Sequence, residues 1–177
     1  PKSRVLGGKS FMLGGSTDLI AEARNISSGD LSGIMSANVP WWFRKRNFPP
    51  DDLARIPDWE EKVDKLVAAI ADQDIRLIGG TPSWLLLFFD QLAAAHGDAR
   101  PDLAKYFPNL ELLIHGGVDF SPYRHRFEGL LSDTSAELRE VYPASEGFIA
   151  VADAGPEDGL RLMLDTGMFM EFVPVDE

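Results

Sequence analysis

Cysteine is absent from the 177 residues, and cationic residues are few, with 17 lysines and arginines against 28 aspartates and glutamates. The lack of thiols excludes disulfides and thiolate chemistry. The net charge of −11 argues against a nucleic-acid-binding surface, because phosphate contacts need clustered lysine and arginine. Three scattered histidines lack the spacing of metal ligands: His96, His115 and His125.

Long apolar runs are also missing. The longest, residues 84–89, is too short to span a bilayer, and no signal peptide is recognisable, so we expect a cytoplasmic protein without a membrane partner. The composition is ordinary for a packed globular chain, and the length suits one domain or a piece of a larger one. Because the chain starts at Pro1 and stops directly after a strand-like run, we interpret it as an excised fragment.

Strand and helix patterns alternate through the middle of the chain. Residues 58–72 carry apolar side chains at helical spacing, with Asp58 as the cap, and we predict that Lys62 lies on the solvated stripe opposite. The alternation favours βαβ units, a parallel sheet and a layered α/β fold. We predict strands at residues 75–78, 110–114 and 138–142, and helices at residues 58–72, 83–95 and 121–131.

The two ends of the chain differ from this pattern. At the amino-terminal end we predict a strand at residues 9–13, helical turns at 18–24 and a loop at 25–30. Toward the other end, short apolar runs without intervening helices predict an antiparallel β-meander at residues 148–152, 160–164 and 168–173. We therefore divide the chain into an α/β part, residues 1–147, and a β segment of the same domain, residues 148–177.

Three turns follow the predicted parallel strands, at residues 79–81, 115–117 and 142–146. In open α/β sheets, ligands bind beyond the carboxyl ends of the strands. Because parallel strands end at the same edge of their sheet, we expect the three turns to open on one shared site.

The last of these turns reads EVYPASEG and has the parts of a nucleotide site. The Tyr142 ring can lie against a base, the Ser145 hydroxyl can bond a phosphate, and the Glu146 carboxylate can hold Mg²⁺ through oxygen. The alternative interpretation of the same residues is a strand, a turn and a surface glutamate.

Four short motifs together resemble a known family. YPASEG resembles the Tyr-Gly-x-Thr-Glu motif of the adenylate-forming superfamily, and it is closer to the Tyr-x-x-Ser-Glu motif of the Gretchen-Hagen, or auxin-responsive promoter, family of acyl acid-amido synthetases. That family carries a Phe-Glu-Phe-x-Pro segment further along, which residues 169–174 resemble. Residues 79–84 look like its Thr-Pro turn, and residues 115–117 look like the Gly-Gly turn of its nucleotide pocket.

The resemblance implies a ligase that uses ATP and Mg²⁺ to adenylate a small carboxylic acid and passes the acyl group to an amine, such as an amino acid, or to a thiol. It implies that Tyr142 and Ala144 flank adenine, that Ser145 bonds phosphate as a catalytic contact, and that Glu146 is both catalytic and the metal ligand. Gly116 and Gly117 would let backbone approach the nucleotide.

Substrate-binding residues are also implied by the resemblance. His115 would polarise the acyl carboxylate, and Thr81 would line the acyl site. The aromatic residues Trp41, Trp42 and Phe43 would form acyl-pocket walls. Residues 40–48 alone also allow another interpretation. In it, the segment is an amphipathic helix with its aromatic side chains in the core and its cations reaching outward.

The sequence departs from the family pattern in several places. Pro143 replaces the glycine of the wider superfamily. The Ser/Thr/Gly-rich phosphate loop with its lysine and the downstream ribose-binding aspartate are missing, so we expect a central fragment of the adenylate-forming domain that is inactive alone. Two alternatives stay open: an acyl-CoA ligase-like adenylating enzyme, and a non-catalytic α/β domain that binds a ligand or a protein.

Overall fold

The fold is an α/β sheet with helices packed on it. The structure, a computed structural model, describes residues 3–15, 17–145, 147–155 and 158–174. Short 3-10 turns occupy Val5–Gly7 and Arg44–Arg46. The other elements, in chain order, are β1 (Lys9–Leu13), β2 (Leu19–Ala23), β3 (Ile26–Gly29), α1 (Leu31–Ala37), β4 (Asn47–Phe48), α2 (Asp51–Ala54), α3 (Trp59–Ile70), β5 (Ile75–Gly80), α4 (Pro82–His96), α5 (Leu103–Tyr106), β6 (Leu112–Gly116), α6 (Arg124–Leu131), β7 (Glu137–Ala144), β8 (Gly147–Val151) and β9 (Arg161–Leu162).

Seven strands form the main sheet in the order β4-β1-β5-β6-β7-β8-β9. The first five are mutually parallel, whereas β8 and β9 pair antiparallel next to β7. Strands β2 and β3 form a separate antiparallel hairpin. The predicted α/β class, with a parallel sheet followed by an antiparallel section, is therefore confirmed. None of the helices in the described part of the chain has the length and apolarity needed to cross a bilayer.

The predicted starts of α3 and α4 have local causes and are confirmed, whereas α6 begins at Arg124, three residues later than predicted. The Asp58 side chain accepts a hydrogen bond of 2.8 Å from the Glu61 amide at the start of α3. Thr81 occupies the N-cap position of α4 without a side-chain capping hydrogen bond, and Pro82 occupies the first turn, where a missing N–H costs nothing. The same helix ends at Gly97, whose φ of 71° is the left-handed conformation that glycine adopts without strain.

One face of the sheet carries the hydrophobic core. The strand register places Phe11, Ile78 and Leu113 side by side on β1, β5 and β6, and all three are fully buried. Helices α3, α4 and α6 cover this face, with the Phe88 ring centroid 4.9 Å from that of Phe11 and Phe127 in the same cluster. Burying one such side chain contributes roughly 1.5–3 kcal/mol, so this core fixes the sheet under the helices.

The opposite face of the sheet is only partly covered. Met12, Ile114 and Val141 alternate with core residues along their strands and therefore point away from α3, α4 and α6. Met12 is half exposed and its side chain lies over Gly79, while Ile114 and Val141 are partly exposed. Parallel sheets are usually covered on both faces, so this side retains an unusual amount of accessible apolar surface.

Several predictions about the ends of the chain are wrong. Residues 18–24 are not helical, because Leu19–Ala23 pairs with Ile26–Gly29 in the small hairpin, and residues 25–30 are therefore not simply a loop. Residues 168–173 form no strand; Met168 instead packs against Gly147, and Phe169 is 92% exposed. In such short segments the sequence pattern is a weak predictor of a strand, because the available pairing partners decide whether a strand forms.

The segment at residues 40–48 is not an amphipathic helix with buried aromatics. Trp41 is 80% exposed and Trp42 is also exposed, and only the 3-10 turn at Arg44–Arg46 is helical. Two prolines follow at once, and the Asn47–Phe48 strand joins the sheet edge, which leaves too few residues to build a longer helix.

Candidate functional site

The three strand-end turns lie at one edge of the sheet, which we call the carboxyl edge. The parallel register pairs Gly80 with His115 and Gly116 with Val141, so β5, β6 and β7 run side by side in one direction. Their following turns therefore leave the sheet together, as the sequence predicted. This adjacency is the geometric basis for treating the turns as one candidate site.

The turns after β5 and β6 approach each other closely. A Cβ on Gly117 would lie 3.9 Å from the Thr81 Oγ1, with nothing else that near. The φ of Gly117 is 86°, a conformation that disfavours any other residue. The Thr81 side chain makes no capping hydrogen bond to α4, so the first-turn amides of this 15-residue helix are left for another acceptor. Such amides, together with the helix dipole, favour an anion.

Strands β7 and β8 form a β-hairpin that projects past the end of β6. Strand β7 continues through Tyr142, Pro143 and Ala144, which pair with β8 and not with β6. Tyr142 is 54% exposed and Ser145 is exposed, so both are accessible to a ligand. Glu146, the predicted metal ligand, lies outside the described residues.

Gly116 has a packing role in the sheet. A Cβ at this position would lie 2.2 Å from the Val141 carbonyl oxygen and 3.2 Å from the Pro143 Cδ. The absence of a side chain thus lets β7 and Pro143 come close to β6. The space that the sequence interpretation reserved for a nucleotide beside Gly116 is occupied by the neighbouring strand, whereas Gly117 faces open space.

His115 lies in the core, 2% exposed, and its ring stacks on Phe120 at a centroid distance of 3.6 Å. Burial, with a smaller contribution from the Arg124 charge, lowers the pKa of His115 from 6.5 to about 4. The imidazole is therefore neutral near pH 7. Its Nδ1 is buried without a hydrogen-bond partner among the described residues. A substrate could reach this ring only if the residues that bury it, Phe120 among them, moved.

The aromatic residues predicted as acyl-pocket walls lie away from the carboxyl edge. Trp41, Trp42 and Phe43 precede β4, so they are near the opposite, amino-terminal edge of the outermost strand. Four strand spacings separate β4 from β7, which is roughly 19 Å at about 4.8 Å per strand. The structure does not bring these aromatics together with Thr81, Gly117 or Tyr142.

Lys62 is a buried residue whose position was predicted wrongly. It is only 5% exposed, and its Nζ donates to the carbonyl oxygens of Ala54 at 2.9 Å, Gly15 at 3.0 Å and Gly14 at 3.4 Å. Burial lowers its pKa. Position 62 falls on the apolar stripe of α3, three residues after Trp59 and one before Val63. This spacing could have predicted that Lys62 is buried. Lys62 thereby holds the turn after β1 at the carboxyl edge.

The prediction of a metal site depends on Glu146, which lies outside the described residues. Within residues 3–15, 17–145, 147–155 and 158–174, no group of three histidine, aspartate or glutamate side chains is arranged to hold a metal ion. Comparison with protein-family models and curated proteins does not identify a family for this chain. No protein-family model matches the chain, and no curated protein matches it either.

Proposed function

We propose that the carboxyl edge forms the adenine and phosphate side of an adenylate-forming site. In that reaction a substrate carboxylate attacks the α-phosphate of ATP, which gives an acyl-adenylate and pyrophosphate. An amine, or alternatively a thiol, then takes the acyl group and releases AMP. The observation that supports this proposal is that Thr81, Gly117 and the hairpin end at Tyr142–Ser145 all lie where neighbouring parallel strands reach the same edge, with Thr81 and Gly117 within contact distance of each other.

Each accessible group at the edge suits one part of the nucleotide. The exposed Tyr142 ring offers a flat apolar surface for adenine. The Ser145 hydroxyl can donate a hydrogen bond to a phosphate oxygen. The free amides at the start of α4 add positive potential beside Gly117. Glu146 would hold Mg²⁺, a role that its place in the YPASEG motif supports.

The proposed site needs further groups to become a complete catalyst. The sequence contains no Ser/Thr/Gly-rich phosphate loop with a following lysine, and most of the affinity in nucleotide sites comes from phosphate-cradling amides and charges. The net charge of −11 also repels ATP at long range. We therefore expect the 177 residues by themselves to bind nucleotide weakly and to leave ATP unreacted.

The direct test is a titration with AMP and with Mg-ATP that is followed by amide chemical shifts. We expect weak, saturable shifts at Thr81, Gly117 and Tyr142, which Tyr142→Ala abolishes. Trp41→Ala, which also removes an exposed aromatic but far from the edge, is the matched control and should leave the shifts unchanged. Absence of shifts at the edge up to about 10 mM nucleotide would reject the proposal.

A second candidate is a non-catalytic α/β domain in which YPASEG is only a hairpin turn. The pairing of Tyr142, Pro143 and Ala144 with β8 favours it, as does the packing role of Gly116, because both explain the motif without a ligand. The same titration distinguishes the two candidates, since a purely structural hairpin predicts no nucleotide shifts.

A further inference from the structure

A second region of the protein has the form of a small-molecule site. A cavity of about 960 Å³ lies along the outer side of edge strand β4, where the segment joining β1 to β4 passes over it. Its volume falls within the range of known ligand pockets. None of Thr81, Gly117 and Tyr142 lines it, so this β4 cavity is separate from the carboxyl edge.

The β4 cavity has an excess of positive charge, whereas the whole protein is acidic. Four cations line it, namely Lys9, Arg44, Lys45 and Arg55, against the three carboxylates Asp18, Asp51 and Asp52. Everywhere else in the chain, acidic residues outnumber basic ones by a wide margin. A local excess of cations in so acidic a protein points to a ligand of opposite charge.

None of the four cations forms an ion pair with a carboxylate in the described part of the chain. Lys9 donates to the neutral Gln73 side chain, and Arg44 Nε donates to the Val39 carbonyl oxygen at 3.2 Å. Lys45 and Arg55 make no side-chain hydrogen bond or ion pair within the part of the chain that the structure describes. An added anion would therefore gain charge-assisted bonds without displacing an existing ion pair.

The charged residues are also distributed unevenly along the cavity. Lys9, Arg44 and Lys45 lie at or before the starts of β1 and β4, whereas Asp51, Asp52 and Arg55 follow the end of β4. One end therefore carries three cations, and the other carries two carboxylates and one cation. Apolar lining side chains complete the wall, namely Leu19, Val39 and Pro49.

We propose that the β4 cavity binds a small organic anion. Its carboxylate or phosphate group occupies the basic end beside Arg44 and Lys45, and its apolar body lies against Val39 and Pro49. Asp51 and Asp52 outnumber Arg55 beyond β4 and therefore disfavour a second negative charge at that end. This assignment uses none of the residues of the carboxyl edge, so it holds whether or not nucleotide binds there.

The test is a titration of the intact chain with benzoate, phenyl phosphate and neutral benzamide, monitored by amide chemical shifts. We expect saturable shifts at Lys45, Asn47 and Gln73 with both anions and none with benzamide. The tighter of the two anions tells whether carboxylate or phosphate is the preferred group. Equal binding of benzamide, or no shifts at these residues up to about 10 mM anion, would overturn the proposal.

Charge variants provide the matched controls. Arg44→Gln and Lys45→Gln should each weaken anion binding about tenfold, the usual effect of losing one charge-assisted hydrogen bond. Arg46→Gln removes the same charge from the adjacent residue, which is exposed and does not line the cavity. It should leave the affinity within about twofold. An equal loss in Arg46→Gln would indicate general charge attraction and would also overturn the proposal.

Discussion

Gly116 and Val141 lie opposite each other on β6 and β7, and the Val141 carbonyl oxygen fills the space that a side chain on Gly116 would need. This contact lets β7 pass close to β6 and continue outward as the Tyr142–Ala144 hairpin strand. One glycine thus positions the accessible part of the candidate site, without itself facing a ligand.

We expect Gly116→Ala to destabilise the protein by about 2 kcal/mol, because a Cβ so close to a carbonyl oxygen forces the strands apart. Denaturant unfolding measures the change. Gly129→Ala is the matched control; that position is exposed in α6 with nothing near its added Cβ, and the change should stabilise by up to ~1 kcal/mol. Unchanged stability in Gly116→Ala would contradict the packing role.

Lys62→Met should lower the free energy of unfolding by about 1–3 kcal/mol. The substitution keeps the apolar stem but removes the donor, which leaves the buried Ala54 carbonyl oxygen and the partly buried Gly15 carbonyl oxygen without this partner. Lys65→Met, on the exposed side of the same helix, should change stability by less than ~0.5 kcal/mol. Urea unfolding of both variants gives the comparison, and equal effects would show that Lys62 has no special structural role.

His115 should make the protein less stable in mild acid. Its folded pKa of about 4 lies below the ordinary 6.5, so the unfolded chain binds the proton more readily between these values. The protein therefore keeps its full free energy of unfolding above pH 6.5, and this free energy falls by up to about 3 kcal/mol as the pH drops to 4. The residue is 2% exposed, so solvent does little to screen this effect.

The acid effect can be separated from that of other titrating groups by substitution. His115→Phe keeps an aromatic ring against Phe120 and should flatten the stability curve between pH 4 and 6.5. His125→Gln, at an exposed position, should leave the curve unchanged. If wild type and His115→Phe lose stability in parallel, the buried histidine is not the cause.

The proposed metal-binding role of Glu146 can be tested by removing its charge. In any polypeptide carrying this segment that catalyses ATP–pyrophosphate exchange, Glu146→Gln should lower the exchange rate about 100-fold, or ~3 kcal/mol. The variant keeps the size of the side chain but removes the charge proposed to hold Mg²⁺. Glu140→Gln, six residues earlier on β7, is the control. A rate at the wild-type level would remove the proposed metal role.

Much of the fold could be predicted from local sequence patterns. The α3 and α4 helices and the β5, β6 and β7 strands depend on periodicity, caps and glycines that act within a few residues of each other. Because alternating strands and helices of this length form parallel units, the common edge of the three turns followed as well.

Other features required contacts between distant parts of the chain. The Leu19–Ala23 strand exists because Ile26–Gly29 pairs with it, and residues 168–173 have a strand-like pattern but no partner. The exposure of Trp41 likewise depends on what the sheet leaves uncovered, not on the side chain itself.

The sequence alone determined the layered α/β class and the approximate ends of β5, β6 and β7, because both depend on local periodicity and turn chemistry; each of these strands runs two residues past its predicted end. Only the tertiary structure decided that Lys62 is buried, that His115 stacks in the core and that Gly116 makes room for Val141. Those outcomes depend on which distant atoms surround each side chain, and their burial and close packing set the energies involved.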